Sequence, residues 1–352
     1  MQEGWGVCLV ATIKTVAERA GVSTATVSHV INGTRTVSEV TARNVMQAMA
    51  ELGYVPSAFG RGLRKNTLKT LGFVAADMTN PYFAQVFRGV ETVALERHYN
   101  VIVTHSDEDP DKELRAISNL IARGVDGVLF APAATTAEMA AEYRKIPVPV
   151  VTFDRIAPEG TFPAVVADSR AAMFDAVRRL RAHGHQAIAF VSSKPGLSTS
   201  ADRWEGYTAA IHPLPPFVFQ GNARYDGGER AAHWISSFKP RPTAVVISNN
   251  LMAMGFVATL LEHFPTVMQT IEVVAMDDEP WTTFVRPPLS VIAQPTDQIG
   301  RQAAGMLADL ISGQTVDQLK ILPCRFIPRN PELAGGHPGD PGQTSAGNTP
   351  PQ

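Results

Sequence analysis

The chain has 352 residues, with 31 Lys and Arg against 33 Asp and Glu, a formal charge of −2. That length predicts two or three structural units, and a hydrophobic fraction of 45% is ample for their cores. No run approaches the roughly 18 apolar residues of a bilayer span, and two distant cysteines, Cys8 and Cys324, form neither a disulfide framework nor a zinc pattern. The run from Gly4 to Ala11 follows Glu3, not a basic segment, and makes a poor secretion signal. A cytoplasmic address is the expectation.

The near-neutral total conceals an asymmetry. Residues 1–66 carry seven basic residues and four acidic ones, a net +3, and the remainder has a net −5. A basic head on an acidic body is suited to an anionic partner for the head.

The head reads as three short helices. Ile13, Val16, Ala17 and Ala20 fall at i, i+3, i+4 and i+7, one helical face, with Thr12 as N-cap and Gly21 as the stop. Ser23 can cap a second helix, Thr24 to Ile31, with Val27, Val30 and Ile31 turned inward, and Asn32-Gly33 is a turn signal. Ser38 can cap a third, Glu39 to Leu52, whose Val45, Ala48, Met49 and Leu52 share a face. Two helices joined only by Gly21-Val22-Ser23 fit a helix-turn-helix.

From Leu68 the pattern changes to apolar strand-like runs alternating with helical segments. The expected strands are Thr70–Ala76, Val101–His105, Gly127–Ala131, Val148–Phe153, Ala187–Ser192, Ala244–Ser248 and Glu272–Met276. The helices between them are Tyr82–Arg97, Asp111–Arg123, Ser169–Ala182, Trp204–Ile211, Gly227–Ser237 and Leu251–His263. Such alternation predicts parallel sheets covered on both faces, and the number of strands predicts two α/β lobes. Residues 331–352, rich in Gly, Pro, Asn and Gln, read as a disordered tail.

The stretch Ala11–Asn32, ATIKTVAERAGVSTATVSHVIN, closely resembles the head of the lactose-repressor (LacI) family of bacterial regulators, and most of all its purine- and cytidine-repressor branch. The resemblance continues in order through Val37-Ser38, Glu51 to Pro56, Asn80-Pro81-Tyr82-Phe83 and Arg203-Trp204-Glu205-Gly206-Tyr207. It extends to Asn249, Asp277-Asp278 and Pro287-Pro288-Leu289 followed by Gln294-Pro295. It implies a helix-turn-helix domain over 11–55, a hinge helix over 56–67 and a two-lobed, periplasmic-binding-protein-like effector domain over 68–330. Lobe one is expected at about 68–163 and 294–330, lobe two at about 164–293. Residues 1–10 read as an extension, and Val10 as a candidate GTG initiation codon would place Met1–Leu9 ahead of the native start. The resemblance also implies dimers or dimer pairs on near-palindromic operator DNA, and no cofactor or metal.

Residue by residue, the family's base-reading positions fall on Thr24, Ala25 and His29. Thr24 can donate or accept at a base edge, Ala25 can offer a methyl contact, and His29 can donate to guanine. Ser23, Thr26, Ser28 and Asn32 suit phosphate, which sets register and not sequence. In the hinge, Leu63 corresponds to the minor-groove wedge, with Ser57, Arg61, Arg64 and Lys65 on the DNA as well. Gly60 and Gly62 depart from the family hinge; each costs about 1 kcal/mol of helix relative to alanine.

The family's effector positions fall on Tyr82, Phe83, Asp154, Arg203, Asn249, Asp277 and Gln294. Carboxylates, amides and a guanidinium beyond strand ends suit a polyhydroxylated ligand, whose hydroxyls both donate and accept. Tyr82 and Phe83 could stack on a ring face. Purine-binding members use an arginine where Leu197 stands, which argues for a sugar or sugar derivative over a purine. A nucleoside is the alternative, as is loss of effector response, because the segment after Tyr207 is short and Asn250 stands where Asp is common. An enzyme is disfavoured, since no nucleophile elbow, phosphate loop or metal cluster occurs, and His183-Gly184-His185 sits where turn residues are expected. A solute-binding protein is opposed by the head.

Overall fold

The computed structural model describes residues 12–32, 35–54 and 68–330, and these divide into two compact units at Leu68. In the first, α1 (Ile13–Ala20) begins with a reciprocal cap. Thr12 Oγ1 accepts from Thr15 N–H while Thr15 Oγ1 accepts from Thr12 N–H. It ends at Gly21, whose φ of 67° is left-handed and cheap only for glycine. Helix α2 (Thr24–Asn32) starts where Ser23 Oγ accepts from Thr26 N–H at 3.1 Å, and α3 (Glu39–Leu52) where Ser38 Oγ accepts from Thr41 N–H at 3.2 Å. Val16, Ala17, Val27, Val45 and Ala48 form the buried core, with Ile13, Val30, Ile31 and Met49 packed around it. Leu52, expected on the inner face, is instead 37% exposed in the last turn of α3.

The second unit contains two six-stranded sheets. In chain order its elements are β1 (Thr70–Ala75), α4 (Pro81–Glu96), β2 (Asn100–His105), α5 (Pro110–Ala122), β3 (Gly127–Phe130), α6 (Ala137–Tyr143), β4 (Val150–Phe153) and β5 (Ala164–Asp168). Then come α7 (Ser169–Ala182), β6 (Ile188–Ser192), α8 (Ser198–Ile211), β7 (Phe217–Gln220), α9 (Tyr225–Ser236), β8 (Ala244–Ile247) and α10 (Asn250–His263). The unit closes with α11 (Pro265–Met268), β9 (Glu272–Met276), α12 (Trp281–Phe284), β10 (Ser290–Ala293), α13 (Thr296–Ile311), β11 (Leu319–Pro323) and β12 (Arg325–Ile327).

Sheet one runs β11-β5-β4-β3-β1-β2, and sheet two runs β12-β10-β9-β8-β6-β7. All pairings are parallel except β10 with β12. The central strands are buried along almost their whole length, as both-faces-covered sheets require, and the edges β2, β7 and β11 are not. In sheet one, α4 and α13 cover one face. They approach so closely that a Cβ at Gly89 would lie 2.2 Å from Asp297 O, and one at Gly300 2.0 Å from Val86 O.

The lobe boundaries differ from those expected. Strand β5 pairs with β4 through Thr152 and Phe153, so it belongs to lobe one, and the first crossing comes at Asp168, not at 163. The chain returns to lobe one after β10 and crosses a third time at Cys324, because β12 pairs with β10 in sheet two. Residues 325–327 therefore lie in lobe two. Cys324 packs against the cores of both lobes, and burial pushes its thiol pKa up to about 12.

Candidate functional site

Both sheets change direction at one point: sheet one between β1 and β3, sheet two between β6 and β8. Ligands of doubly wound folds bind beyond the strand C-termini at such points. Here the C-terminal ends of the two sheets face one cavity of about 350 Å³. It collects Tyr82, Phe83, Asp154, Arg203, Asn249, Asp277 and Gln294, the whole effector set expected from the sequence.

Asn80 caps α4 by accepting from Tyr82 N–H at 2.9 Å, with Pro81 in the first turn. This seats Tyr82 and Phe83 at the cavity, their rings edge-to-face at 5.2 Å. The Tyr82 hydroxyl has no hydrogen-bond partner of good geometry among the described residues. Burial, then the charges of Asp154 and Asp277 and a hydrogen bond directed at Asp154, raise its pKa well above the ordinary phenol value, so it stays a donor.

Asp154 and Asp277 occupy matching positions, each directly after a strand, with φ of 65° and 68°. Left-handed backbone is uncommon outside glycine, and Asp tolerates it better than most residues. Both carboxylates are buried. Burial lifts the Asp277 pKa to about 6, against the opposing pull of the Gln294 amide, which donates to Asp277 Oδ1 at 2.7 Å, and of Arg203. Arg203 lies inside α8, not ahead of the helix as its sequence suggested. Its Nη1 donates to Ser248 O at 2.7 Å, and its buried Nε has no partner among the described residues. The neighbours that could have neutralised it, Asp202 and Glu205, bind Arg170 instead, at 3.0 and 2.8 Å. Gln294 Oε1 is likewise buried and unpartnered. Asn249 contributes through its place at the cavity and caps α10, accepting from Met252 N–H.

Sequence reasoning missed Arg155, Glu108 and Lys194. Arg155 is buried beside Asp154 and grips Glu108 in a two-pronged pair at 2.6 and 2.8 Å, also donating to Pro132 O at 3.0 Å. The neighbouring Ala133 N–H donates to Glu113, a fully buried carboxyl that burial lifts to about 7. Lys194 of lobe two donates to Glu108 O of lobe one at 2.8 Å, and Asn250 Nδ2 to Asn80 Oδ1 at 2.9 Å. These bonds hold the lobes together across the cleft. A basic residue following Asp154 was the available signal for Arg155; Glu108 and Lys194 lie on loops without one.

In the head, Ser23, Thr24 and Ala25 are exposed at the start of α2, and Thr26, Ser28 and His29 are half-buried. The Ser23 and Thr26 hydroxyls bond each other at 2.9 Å. The side chain of Asn32 lies outside the described residues, as do the hinge positions Ser57, Arg61, Leu63 and Arg64, the 1–10 extension and the 331–352 tail. Among the described residues no group of three His, Cys, Asp or Glu is placed to hold a metal. His183 and His185 are engaged at a helix end, by Arg179 O at 2.7 Å and Thr243 Oγ1 at 2.9 Å.

Residues 12–57 match the family described as "Bacterial regulatory proteins, lacI family", and residues 68–330 match "Periplasmic binding proteins and sugar binding domain of LacI family". The chain belongs to the LacI family. It is 35% identical over 312 residues to catabolite control protein A of Priestia megaterium, spanning 87% of this chain and 94% of that one. It is 35% identical over 315 residues to the HTH-type transcriptional repressor PurR of Pectobacterium carotovorum, spanning 87% and 92%. The lac repressor bound to ONPG in its repressed state superposes with a TM-score of 0.79 at 26% identity, covering 90% of this chain and 98% of that one. As a LacI-family chain it is a DNA-binding transcriptional regulator, with a helix-turn-helix head and a two-sheet α/β effector body.

Proposed function

We propose that this regulator is a repressor whose operator affinity is set by a small neutral polyhydroxylated molecule, a sugar or sugar derivative, held in the cleft. The observation that carries this reading is the set of buried polar groups with spare capacity, Arg203 Nε as donor and Gln294 Oε1 as acceptor, beside the Asp154 and Asp277 carboxylates. A buried polar group without a partner costs about 1–3 kcal/mol. A ligand rich in hydroxyls relieves several such costs at once, because each hydroxyl both donates and accepts. Leu197 lines the cavity as a buried apolar wall, which suits a sugar face and offers no charge to a purine. A nucleoside is the second reading, favoured by the edge-to-face Tyr82–Phe83 pair at the same wall.

In this reading Thr24, Ala25 and His29 touch base edges, Ser23, Thr26, Ser28 and Asn32 touch phosphates, and Leu63 wedges the minor groove, flanked by Ser57, Arg61 and Arg64. The protein works in the cytoplasm as a homodimer on a near-palindromic operator and catalyses no reaction. The repressor names of relatives such as PurR and CytR support the repressor reading. The test pairs a gel shift of the full chain with promoter DNA against a chain lacking residues 1–66, and a thermal-shift screen of sugars and nucleosides. Retained specific DNA binding by the shortened chain overturns the head assignment. Stabilisation by nucleosides and not by sugars overturns the ligand class.

A further inference from the structure

A second cavity, of about 730 Å³, lies on the far side of the segment 193–198, which it shares as a wall with the effector cavity. Its chemistry is the opposite of its neighbour's. The effector cavity gathers five carboxylates and four cationic side chains, whereas the second contains one ionisable side chain, Glu159, already paired with Arg144. Four of its five hydroxyls are engaged: Thr135 Oγ1 donates to Gly196 O, Ser192 Oγ to Phe219 O, Ser200 Oγ to Lys194 O, and Ser198 Oγ accepts from Ile156 N–H at 3.1 Å. The rest is mainly apolar surface from Ile156, Pro158, Leu197, Val218 and Trp204, with Ser193 and Gln220 as its polar exceptions. Trp204 is 37% exposed although its ring packs near Phe190 and Tyr207, so part of the indole is left as a platform.

We propose that this cavity is a second ligand site, for an uncharged, flat, largely apolar small molecule that stacks on Trp204. With its one charged side chain already paired and its walls mainly apolar, the cavity excludes phosphates and carboxylates, whose desolvation would go uncompensated. An exposed indole in a concave apolar wall is the kind of anchor on which aromatic ligands gain most. Both lobes build the walls, Thr135, Ile156 and Pro158 from lobe one and Leu197, Trp204 and Val218 from lobe two. Two bonds between the lobes frame them, Thr135 Oγ1 to Gly196 O and Ile156 N–H to Ser198 Oγ. A molecule seated there touches both lobes only when the cleft is closed and so favours that arrangement. The inference extends the effector-cleft reading by adding a second occupant, while its test reads the second cavity alone.

The probe is coumarin, a neutral bicyclic lactone, titrated calorimetrically into the full chain. The expected result is saturable binding at one site per chain, weakened about tenfold or more by Trp204→Ala, which removes the platform, and by Ala201→Trp, which fills the space from the same helix. Because one variant removes a wall and the other adds bulk, a folding defect in either does not decide the result. Arg203→Ala and Asp277→Asn should leave coumarin binding within about twofold, while removing any response to sugars. Absence of saturable binding, or binding indifferent to both cavity variants, overturns the proposal. So does loss of coumarin binding in Arg203→Ala, which would place the probe in the effector cleft. A chain that binds coumarin but no sugar or nucleoside keeps the second site and rejects the effector reading.

Discussion

The head and the cleft handle polar chemistry in opposite ways. The head holds three helices on five buried residues and leaves Thr24 and Ala25 in the open, with helix caps made by neighbouring Ser and Thr hydroxyls. The cleft buries its polar groups, two carboxylates and a guanidinium among them, and holds them with incomplete hydrogen bonding. An exposed surface suits a partner as large as a duplex, which brings its own phosphates and is positioned by many weak contacts. A buried set suits a small ligand, whose few groups must each count for more, as they do away from water. The head thus depends on its small core, and the cleft on its individual side chains.

The sharpest way to break this contrast is at the head's core. Val45 is fully buried among only four other buried residues, so Val45→Asp introduces a charge with no partner at a cost of several kcal/mol. Operator binding should disappear in a gel shift while the thermal transition of the body stays in place. Loss of the body transition as well would show that the two units do not fold independently.

The next largest effect is expected at Arg203. Arg203→Ala removes a buried donor and should cost about 3 kcal/mol of ligand affinity, roughly a hundredfold, measured by titration with whichever sugar the screen returns. DNA binding without ligand should be unchanged.

Asp277 sharpens the comparison through pH. Its pKa is raised on folding from 3.8 to about 6, so the folded state holds the proton more tightly than the unfolded chain. The associated stability is full below pH 3.8 and is lost as pH rises through 6. Asp277→Asn should therefore stabilise the unliganded protein at pH 7, by up to about 3 kcal/mol, and flatten the pH dependence of its melting between those values. Ligand affinity of the natural protein should move the other way, falling as pH drops below about 6, because a protonated carboxyl accepts less well from a sugar hydroxyl. Unchanged affinity between pH 5 and 7 would remove Asp277 from the ligand contacts.

Smaller effects belong to the head's surface. His29→Ala should weaken specific binding by about 1–3 kcal/mol and relax preference at one base pair per half-site; equal loss on random DNA would mean that it touches only the backbone. Ser23→Ala removes the α2 cap at 3.1 Å and should cost about 1 kcal/mol of head stability, read as a shift in its thermal transition.

The sequence by itself determined whatever depends on neighbours along the chain. The caps at Thr12, Ser23 and Ser38 and the stop at Gly21 act within a few residues, and all appear as read. Seven of the twelve strands were legible in the same local alternation, while β5, β7, β10, β11 and β12 were not, and the positions Asp154, Arg203, Asp277 and Gln294 came from the family resemblance. Tertiary structure alone decided which strands pair. Strand β5 is a short apolar run that fits either sheet until β4 takes it, and the edge strand β12 carries too little apolar pattern to show its sheet. Tertiary structure also decided which charges meet. Asp202 and Glu205 flank Arg203 in sequence, yet Arg170, 32 residues before Asp202, binds both and leaves the buried guanidinium for the cleft. Glu108 became a cleft residue only when Arg155, 47 residues away, gripped it. Pairings over such separations rest on long-range packing, and a pattern read along one strand or helix carries no record of them.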